Sequence, residues 1–179
     1  MAKARATLSK AFSQTRRTQQ PKTADVRAVK LDILEHLLSF YTRVVSVVLN
    51  REYDQAMSSV AMARGTGKVT TLLMVAANPG IRPSVLAHYV LSDRSAMTRL
   101  LTQMKAAGLI VEKISDKERR ARELFVTTRG RALVERVRAL ATEQSDAFFS
   151  VLSASEQAQL MALLQKLYRQ HVTDLPQER

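Results

Sequence analysis

Apolar residues recur at helical spacing near the start of the chain, from Asp25 to about Asn50. Neither glycine nor proline interrupts this stretch, so the pattern predicts one long helix. Residues 51–64 either continue this helix or bend away from it. The apolar stripe is wide, which indicates that part of the helix is buried against a second chain. It consists of Val29, Ile33, Leu34, Leu37, Leu38, Tyr41, Val44, Val45 and Val48.

Two short helices with a tight turn between them are predicted in the middle of the chain. Pro83 suits the first position of a helix that runs to about Val90. The side chain of Ser92 or Asp93 can then cap a second helix, which runs to Ala107. A helix pair of this kind is typical of a helix-turn-helix.

The second helix of this pair has two distinct faces when its residues are placed 100° apart. The apolar face consists of Met97, Leu100, Leu101 and Met104. The opposite face is cationic, carries short hydroxyl side chains and has no acid. It is either an ordinary solvated face or the face that enters a DNA major groove, where arginine reads guanine and hydroxyls contact bases and phosphates. In the second case, the predicted DNA contacts of the helix pair are Ser84, Arg94, Ser95, Thr98, Arg99 and Thr102.

Two β-rich runs, LIVEKI at 109–114 and RELFVT at 122–127, flank the charged segment SDKERRA. They predict a hairpin with a basic tip. A charged run on its own is more typical of a solvated loop. Directly after a helix that can enter DNA, it is typical of a wing, which neutralises phosphates or places an arginine in the minor groove. The predicted DNA contacts of the wing are Lys117, Arg119, Arg120 and Arg122.

Two further helices are predicted in the last third of the chain. The first follows Thr127 or Thr128 and spans about 129–150, and a capping box from Ser153 to Glu156 opens the second.

The outer helices have more apolar surface than one winged domain can cover. The predicted fold is therefore mainly α with a small β-hairpin wing: a winged helix-turn-helix, dimerised through its N- and C-terminal helices. The predicted domains are a basic flexible arm at 1–24, an N-terminal dimerisation helix region at 25–64, a winged helix-turn-helix DNA-binding domain at 65–128 and C-terminal dimerisation helices at 129–179.

The charge of the chain is strongly positive and unevenly placed. The net charge is +12. Residues 1–30 carry eight Lys and Arg against Asp25 alone, and residues 94–122 carry eight against three acids. These balances of +7 and +5 account for the whole excess and indicate a polyanionic partner. The first segment has the composition of an organellar transit peptide or of an arm that binds nucleic acid, and we favour the arm.

Little in the sequence suggests catalysis, a cofactor or a bound metal. There is no cysteine, and His36, His88 and His171 lie far apart, so we predict no metal site. RGTGKVTT is not a phosphate-binding loop, because Met62 and Val69 stand where glycine and a hydroxyl residue are required; it is predicted to be a turn that starts a helix. No nucleophile–base pair is found, so no enzymatic activity is predicted. Aromatic residues are few, which disfavours RNA binding, and no apolar run is long enough to span a membrane.

The segment ERRARELFVTTRG resembles the wing of the MarR family of bacterial transcription regulators, an Asp-x-Arg pattern followed by a Leu-Thr-x-x-Gly ending. Glu118 stands for the aspartate, Arg120 for the arginine and residues 126–130 for the ending. LAHYVLSDRSAMTRLLTQMKAAGLI is similar to the helix-turn-helix of the family. The resemblance covers roughly residues 31–168. It departs from the family pattern at Glu118 and at Leu91, where a turn glycine is usual.

This resemblance implies a homodimer that binds a palindromic operator in double-stranded DNA, usually as a repressor. It also implies release by a small aromatic or heteroaromatic acid, such as a hydroxylated benzoate or a pyridine carboxylate. Glu118 would then orient Arg120 or Arg122 within the wing. We expect a cytoplasmic bacterial protein that is associated with the nucleoid when it is bound to DNA.

The candidate ligand-binding residues are His36, Tyr41 and Arg43, which could serve the carboxylate and ring hydroxyl of such an acid, as arginine and histidine do elsewhere in the family. Alternatively, His36 and Tyr41 pack at the dimer interface and Arg43 is solvated. The alternative function is that of an architectural or constitutive DNA-binding protein without an effector, which relies on its charge and discriminates poorly between sequences.

Overall fold

The computed structural model describes residues 29–60, 66–115 and 121–173. These ranges are mainly helical, with one two-stranded hairpin, and no helix in them is long and apolar enough to cross a membrane. The chain divides into two compact units, residues 1–44 and 45–179. The regular elements are α1 (Leu38–Ala56), α2 (Thr66–Ala77), α3 (Pro83–Tyr89), α4 (Arg94–Ala106), β1 (Ile110–Ile114), β2 (Arg122–Val126), α5 (Thr128–Phe148) and α6 (Ala154–Thr173).

The described part of the first unit departs from the single long helix that the apolar pattern predicts. A 3₁₀-helix spans Asp32–His36, Leu37 is extended, and α1 begins at Leu38. Asp32 has a φ of +52°, a left-handed conformation that an α-helix cannot contain. The prediction of an uninterrupted helix was therefore wrong before Leu38. Periodicity reports which face an apolar residue occupies and does not detect a single non-helical residue.

The second unit is built around a core to which α2, α3, α4, the hairpin and α5 all contribute. α1 continues past Asn50 to Ala56, and the next element, the 3₁₀-turn Met57–Ser59, adds Met57 to this core. Because α4 and the hairpin both contribute, the core fixes them relative to each other. Its largest fully buried side chains include Met57, Leu72, Leu86, Met97, Met104, Ile110, Leu124 and Val137.

The hairpin pairs β1 with β2 in antiparallel register, from Ile110 opposite Val126 to Ile114 opposite Arg122. The structure adds an isolated β-bridge that the sequence did not predict. Ile81 bridges to Leu124, whose N–H donates to the Ile81 carbonyl at 3.1 Å. The loop between α2 and α3 is thereby attached to the wing.

Side-chain caps start three of the helices where the sequence predicts them. Asp93, and not Ser92, caps α4. Thr127 caps α5 by accepting a hydrogen bond from the Gly130 N–H at 2.9 Å. Ser153 and Glu156 form the predicted capping box, in which the Ser153 N–H donates to the Glu156 carboxylate at 2.7 Å. These hydrogen bonds satisfy backbone groups that have no partner within the helix and so define where each helix begins.

Large apolar side chains remain exposed on both outer helices. On α1 their exposed fractions lie between 42% and 85% for Leu38, Tyr41, Val44, Val45, Val47 and Val48. On α6 they lie between 44% and 62% for Met161, Leu163, Leu164, Leu167 and Tyr168. Apolar surface of this extent on a folded chain is typical of an interaction site. The assignment of these helices to a dimer interface stays a prediction.

Candidate nucleic-acid interface

Helix α4 presents one polar face outward and packs the opposite face into the core. The buried residues are Met97, Leu101 and Met104, none more than 5% exposed. The five residues predicted from the helical pattern are all exposed: Arg94, Ser95, Thr98, Arg99 and Thr102. Because the core holds the apolar side, the polar face is a fixed surface of the second unit.

The first turn of α4 is held by Asp93. Its carboxylate accepts hydrogen bonds from the Ser95 hydroxyl at 2.7 Å and from the Ala96 N–H at 2.8 Å. These bonds, together with the nearby charge of Arg99, hold the pKa of Asp93 below its usual range. The capped turn gives Arg94 and Ser95 a defined position at the helix N-terminus, the end that helix-turn-helix proteins direct at base edges.

The hydroxyl groups of the two threonines are turned toward their own helix. Thr98 donates to the Arg94 carbonyl at 2.7 Å, and Thr102 donates to the Thr98 carbonyl at 2.9 Å. Their protons are used within the helix, so toward a ligand these hydroxyls offer oxygen lone pairs. Each threonine also carries a methyl group, the partner that the methyl of thymine requires in the major groove.

Two arginines supply the positive charge of this face. The guanidinium groups of Arg94 and Arg99 make no hydrogen bond or ion pair with another residue in the described ranges. An arginine without an internal partner can donate two parallel hydrogen bonds to guanine or to a phosphate without first breaking a bond. Ser84, the sixth predicted contact, is exposed in the first turn of α3.

The predicted tip of the wing lies outside the described residues. This applies to Lys117, Arg119 and Arg120, and to Glu118 with its predicted orienting role. The described strands reach Ile114 and Arg122, beyond which the Ser115 N–H donates to the Ala121 carbonyl at 2.9 Å. The contact of the tip with DNA stays a prediction.

Arg122, the one predicted wing contact that lies within the described residues, pairs with an acid that the sequence pattern did not single out. Its Nη1 lies 3.2 Å from Oε1 of Glu112 on the neighbouring strand. Glu112 also forms an ion pair with Lys105 in the last turn of α4. Strand alternation could have identified this position, because Glu112 is two residues from the buried Ile110 and therefore on the same face of the hairpin.

The residues that close the wing join its first strand to the start of α5. The Thr127 N–H donates to the Leu109 carbonyl at 3.0 Å, and the Thr127 hydroxyl donates to the Gly108 carbonyl at 2.7 Å. Gly130 lies so close to this point that a Cβ atom there would be 2.1 Å from the Leu109 oxygen. The Thr-x-x-Gly ending thus has a structural task, the anchoring of the wing.

Comparisons with known proteins agree with this architecture. A sequence profile of the MarR family matches residues 66–121. The chain is also 28% identical, over 151 residues, to a transcriptional regulatory protein for the hcr operon of Thauera aromatica; the alignment covers 84% of this chain and 90% of that protein. The resemblance to the MarR family is thereby confirmed, and residues 66–121 carry the family match.

Two further members of the MarR fold illustrate the similarity. The HTH-type transcriptional repressor Rv2887 of Mycobacterium tuberculosis is 27% identical over 123 residues, 69% of this chain and 87% of its own. A crystal structure of Rv2887 in complex with salicylic acid aligns with a TM-score of 0.59 at 26% identity, over 73% of this chain and 96% of that one. The transcriptional repressor CouR, bound to a 23-mer DNA duplex, aligns with a TM-score of 0.73 at 24% identity, over 79% of this chain and 99% of its own. The winged helix-turn-helix fold is confirmed.

One departure from the MarR pattern has a visible structural consequence. Leu91, in the turn between α3 and α4, has a φ of +51°. Its N–H donates to the His88 carbonyl at 3.1 Å, and the Ser92 N–H donates to the Ala87 carbonyl at 2.9 Å. This pair of bonds is a Schellman motif, whose left-handed residue is usually glycine. A leucine there is strained by about 1–2 kcal/mol.

Replacing Leu91 by glycine should therefore raise the free energy of unfolding, by up to about 1 kcal/mol, because part of the relieved strain is offset by the greater freedom of glycine in the unfolded chain. Leu91 is 56% exposed, so little apolar burial is lost. The α4 terminus provides the opposite control: Gly108 has a φ of +66°, and Gly108→Ala should lower the stability. Urea unfolding of both variants tests this, and a destabilised Leu91→Gly variant contradicts it.

The three candidate ligand residues of the MarR resemblance lie in the first unit. His36 ends the 3₁₀-helix, and the Tyr41 hydroxyl donates to the Glu35 carbonyl at 3.2 Å. Tyr41 and Arg43 are two residues apart on α1 and so point about 200° apart around the helix. The helix does not bring these two side chains together on one face, and their role in ligand binding stays a prediction.

Proposed function

We propose that this protein regulates transcription, acting as a repressor that binds a palindromic operator as a homodimer. The observation that carries the proposal is the outward face of α4. This face carries two arginines, neither of which has a described partner, together with hydroxyl and methyl groups. The other side of the helix is packed into the core. These are the groups that read base edges in a major groove. Named relatives, the Thauera aromatica and Mycobacterium tuberculosis proteins, are transcriptional regulators.

The exposed apolar faces of α1 and α6 support the homodimer. A second copy would remove these side chains from water, at about 25 cal/mol per Å² of apolar surface. A two-fold axis would place the two α4 helices against half-sites about 34–36 Å apart, one turn of B-DNA. Hydroxyl-radical footprinting on DNA upstream of the protein's own gene tests this arrangement. Two protected half-sites with that spacing are expected; a single protected site or uniform protection contradicts it.

We propose further that a small aromatic or heteroaromatic carboxylic acid releases the protein from DNA. The crystal structure of Rv2887 with salicylic acid supports an aromatic acid as the effector class. His36, Tyr41 and Arg43 are the proposed contacts. A pocket between α2, α4 and α5, lined by Lys68, Leu72 and other residues, is too small to hold an aromatic ring and is not proposed as the site.

The effector proposal is tested by titrating hydroxybenzoates and pyridine carboxylates into the protein–DNA complex. We expect at least one acid to release the protein and Arg43→Gln to weaken that response without changing DNA affinity in its absence. Hydroxybenzamides and nicotinamide, which carry an amide in place of the carboxylate, are the matched ligand controls. Release by none of the acids, or equal release by the amides, contradicts the proposal.

A constitutive or architectural DNA-binding protein is the second candidate function. The net charge of +12, of which residues 1–30 contribute +7, favours it. Such a protein would bind operator and scrambled DNA with similar affinity and a steep dependence on salt. It would also ignore aromatic acids, so the effector titration separates the two functions.

Deleting residues 1–24, which lie outside the described residues, should weaken binding to scrambled DNA and leave the protein dimeric. The segment carries six Lys and Arg and no acid, and each phosphate contact it makes contributes about −0.9 to the slope of log K against log salt. Anisotropy on scrambled DNA measures the first effect and sedimentation velocity the second. A monomeric product would contradict the placing of the dimer interface on α1 and α6.

A further inference from the structure

Glu112 joins the end of α4 to the wing. It is the third residue of β1, opposite Leu124 of β2. Its carboxylate pairs with Lys105 in the last turn of α4 and, at 3.2 Å, with Arg122 at the first position of β2. One acid therefore contacts both elements of the candidate nucleic-acid interface.

The three side chains differ in their contact with solvent. That of Glu112 is 15% exposed, whereas those of Lys105 and Arg122 are 38% and 69% exposed. The acid is thus the enclosed centre of the cluster, and the two cations extend outward from it. The hydrogen bond from Lys105, followed by the charges of Lys105 and Arg122, holds the pKa of Glu112 below its usual range. The carboxylate consequently remains ionised at neutral pH, and the cluster has a net charge of +1.

This arrangement has two consequences for a bound polyanion. Arg122 and Lys105 are held in defined positions, which lowers the entropic cost of placing them on phosphates. At the same time, the negative carboxylate opposes the attraction of any polyanion, whatever its sequence. An acid that fixes the cations and reduces their net charge therefore favours a complex with DNA that fits these positions over a complex with DNA that does not.

We propose that Glu112 is a positioning residue for DNA recognition: it sets the wing against α4, holds Lys105 and Arg122 for phosphate contact, and suppresses non-specific binding. The inference rests on the proposed DNA-binding function. It adds a residue that does not itself contact DNA and whose removal should impair discrimination more than affinity.

The test compares Glu112→Gln with Glu135→Gln. Glu135 lies on α5 and pairs with Arg138 at 2.9 Å. Both variants gain one unit of positive charge; Glu112→Gln loses two ion pairs and Glu135→Gln loses one. Anisotropy would be measured on upstream DNA and on scrambled DNA from 50 to 300 mM salt, with thermal unfolding as a control for folding. Glu112→Asp, which keeps the charge on a shorter side chain, is the conservative variant.

For Glu112→Gln we expect the ratio of specific to non-specific affinity to fall about tenfold. Binding to scrambled DNA should strengthen, with a salt slope steeper by about 0.9 for each cation that is freed for a phosphate. Glu135→Gln should leave the ratio unchanged, and Glu112→Asp should lie between wild type and Glu112→Gln. A role in folding alone would lower binding to both DNAs alike.

Hydrogen–deuterium exchange without DNA gives a second readout. The amides of β1 and β2 should exchange faster in Glu112→Gln than in Glu135→Gln, because the wing loses its attachment to α4. Equal exchange, or equal discrimination by the two variants, overturns the inference and leaves the proposed function intact. Wild-type protein that binds both DNAs equally overturns the proposed function, and this inference with it.

Discussion

Replacing Gly130 by alanine should lower the free energy of unfolding by about 3 kcal/mol, the upper part of the range for a side chain forced into a packed site. The added Cβ would lie 2.1 Å from the Leu109 carbonyl oxygen and 2.6 Å from Cγ1 of Val126. The first of these is a backbone atom, which cannot turn aside as a flexible side chain can. Moving it would also disturb the 3.0 Å hydrogen bond that the Thr127 N–H donates to the same oxygen.

This prediction can be checked by urea and thermal unfolding. A loss of about 3 kcal/mol corresponds to a fall in Tm of about 6–12 °C for a chain of this size. Gly67→Ala is the matched control, because among the described residues a Cβ at Gly67 would meet only Leu100 Cδ2, at 4.0 Å. Since Gly67 lies in α2, alanine there should leave the stability unchanged or raise it by up to about 1 kcal/mol. Equal stability of the Gly130 and Gly67 variants would show that the close approach does not constrain the wing.

Replacing Arg99 by alanine should weaken binding to the operator by about 1–3 kcal/mol, or roughly 5- to 150-fold, if its guanidinium reads a base. Arg99 is exposed and has no hydrogen-bonded or ion-paired partner among the described residues, so its loss leaves no buried group unsatisfied. The stability of the free protein should therefore change by less than about 0.5 kcal/mol. The same reasoning applies to Arg94.

The control for this prediction is Arg138→Ala, which removes an equal charge from an exposed helix position. The Arg138 guanidinium pairs with Glu135, and both residues lie on α5 and not on α4. Binding would be measured on operator and scrambled DNA. A loss confined to the operator indicates base reading. An equal loss on both DNAs indicates phosphate contact, and no loss on either would remove α4 from the interface.

Much of the second unit was predictable because its signals are local. Pro83 occupies the first position of α3. Asp93 caps α4 and Thr127 caps α5, each through a hydrogen bond to a residue three positions later. The two faces of α4 follow from helical spacing alone. A sequence read residue by residue contains these signals in full. The hairpin strands were predicted for the same reason, with bounds within one residue of those observed.

Features that depend on distant residues were not predictable in this way. Ile81 pairs with Leu124, 43 positions later in the chain. Glu112 was overlooked because its partner Lys105 belongs to the preceding helix and faces it only in the folded chain. Each depends on tertiary contacts, which override local propensity.

The candidate site likewise contains features that were predictable from the sequence and features that were not. The five polar residues of α4 were identified from spacing, but the direction of their hydrogen bonds was not. Thr98 and Thr102 use their protons within the helix, and this makes them acceptors toward a bound base. For the ligand residues, helical spacing alone places Tyr41 and Arg43 about 200° apart, a constraint that the resemblance to the family did not contain.

Sequence-selective DNA binding is the central claim, and fluorescence anisotropy tests it most directly. Purified protein would be titrated into labelled DNA from upstream of its own gene and into scrambled DNA of the same length and composition, at near-physiological salt. We expect the upstream DNA to bind at least about 10³-fold more tightly, the lower end of the range for specific recognition. Equal affinity for the two DNAs would contradict the claim and leave a protein that binds DNA through its charge alone.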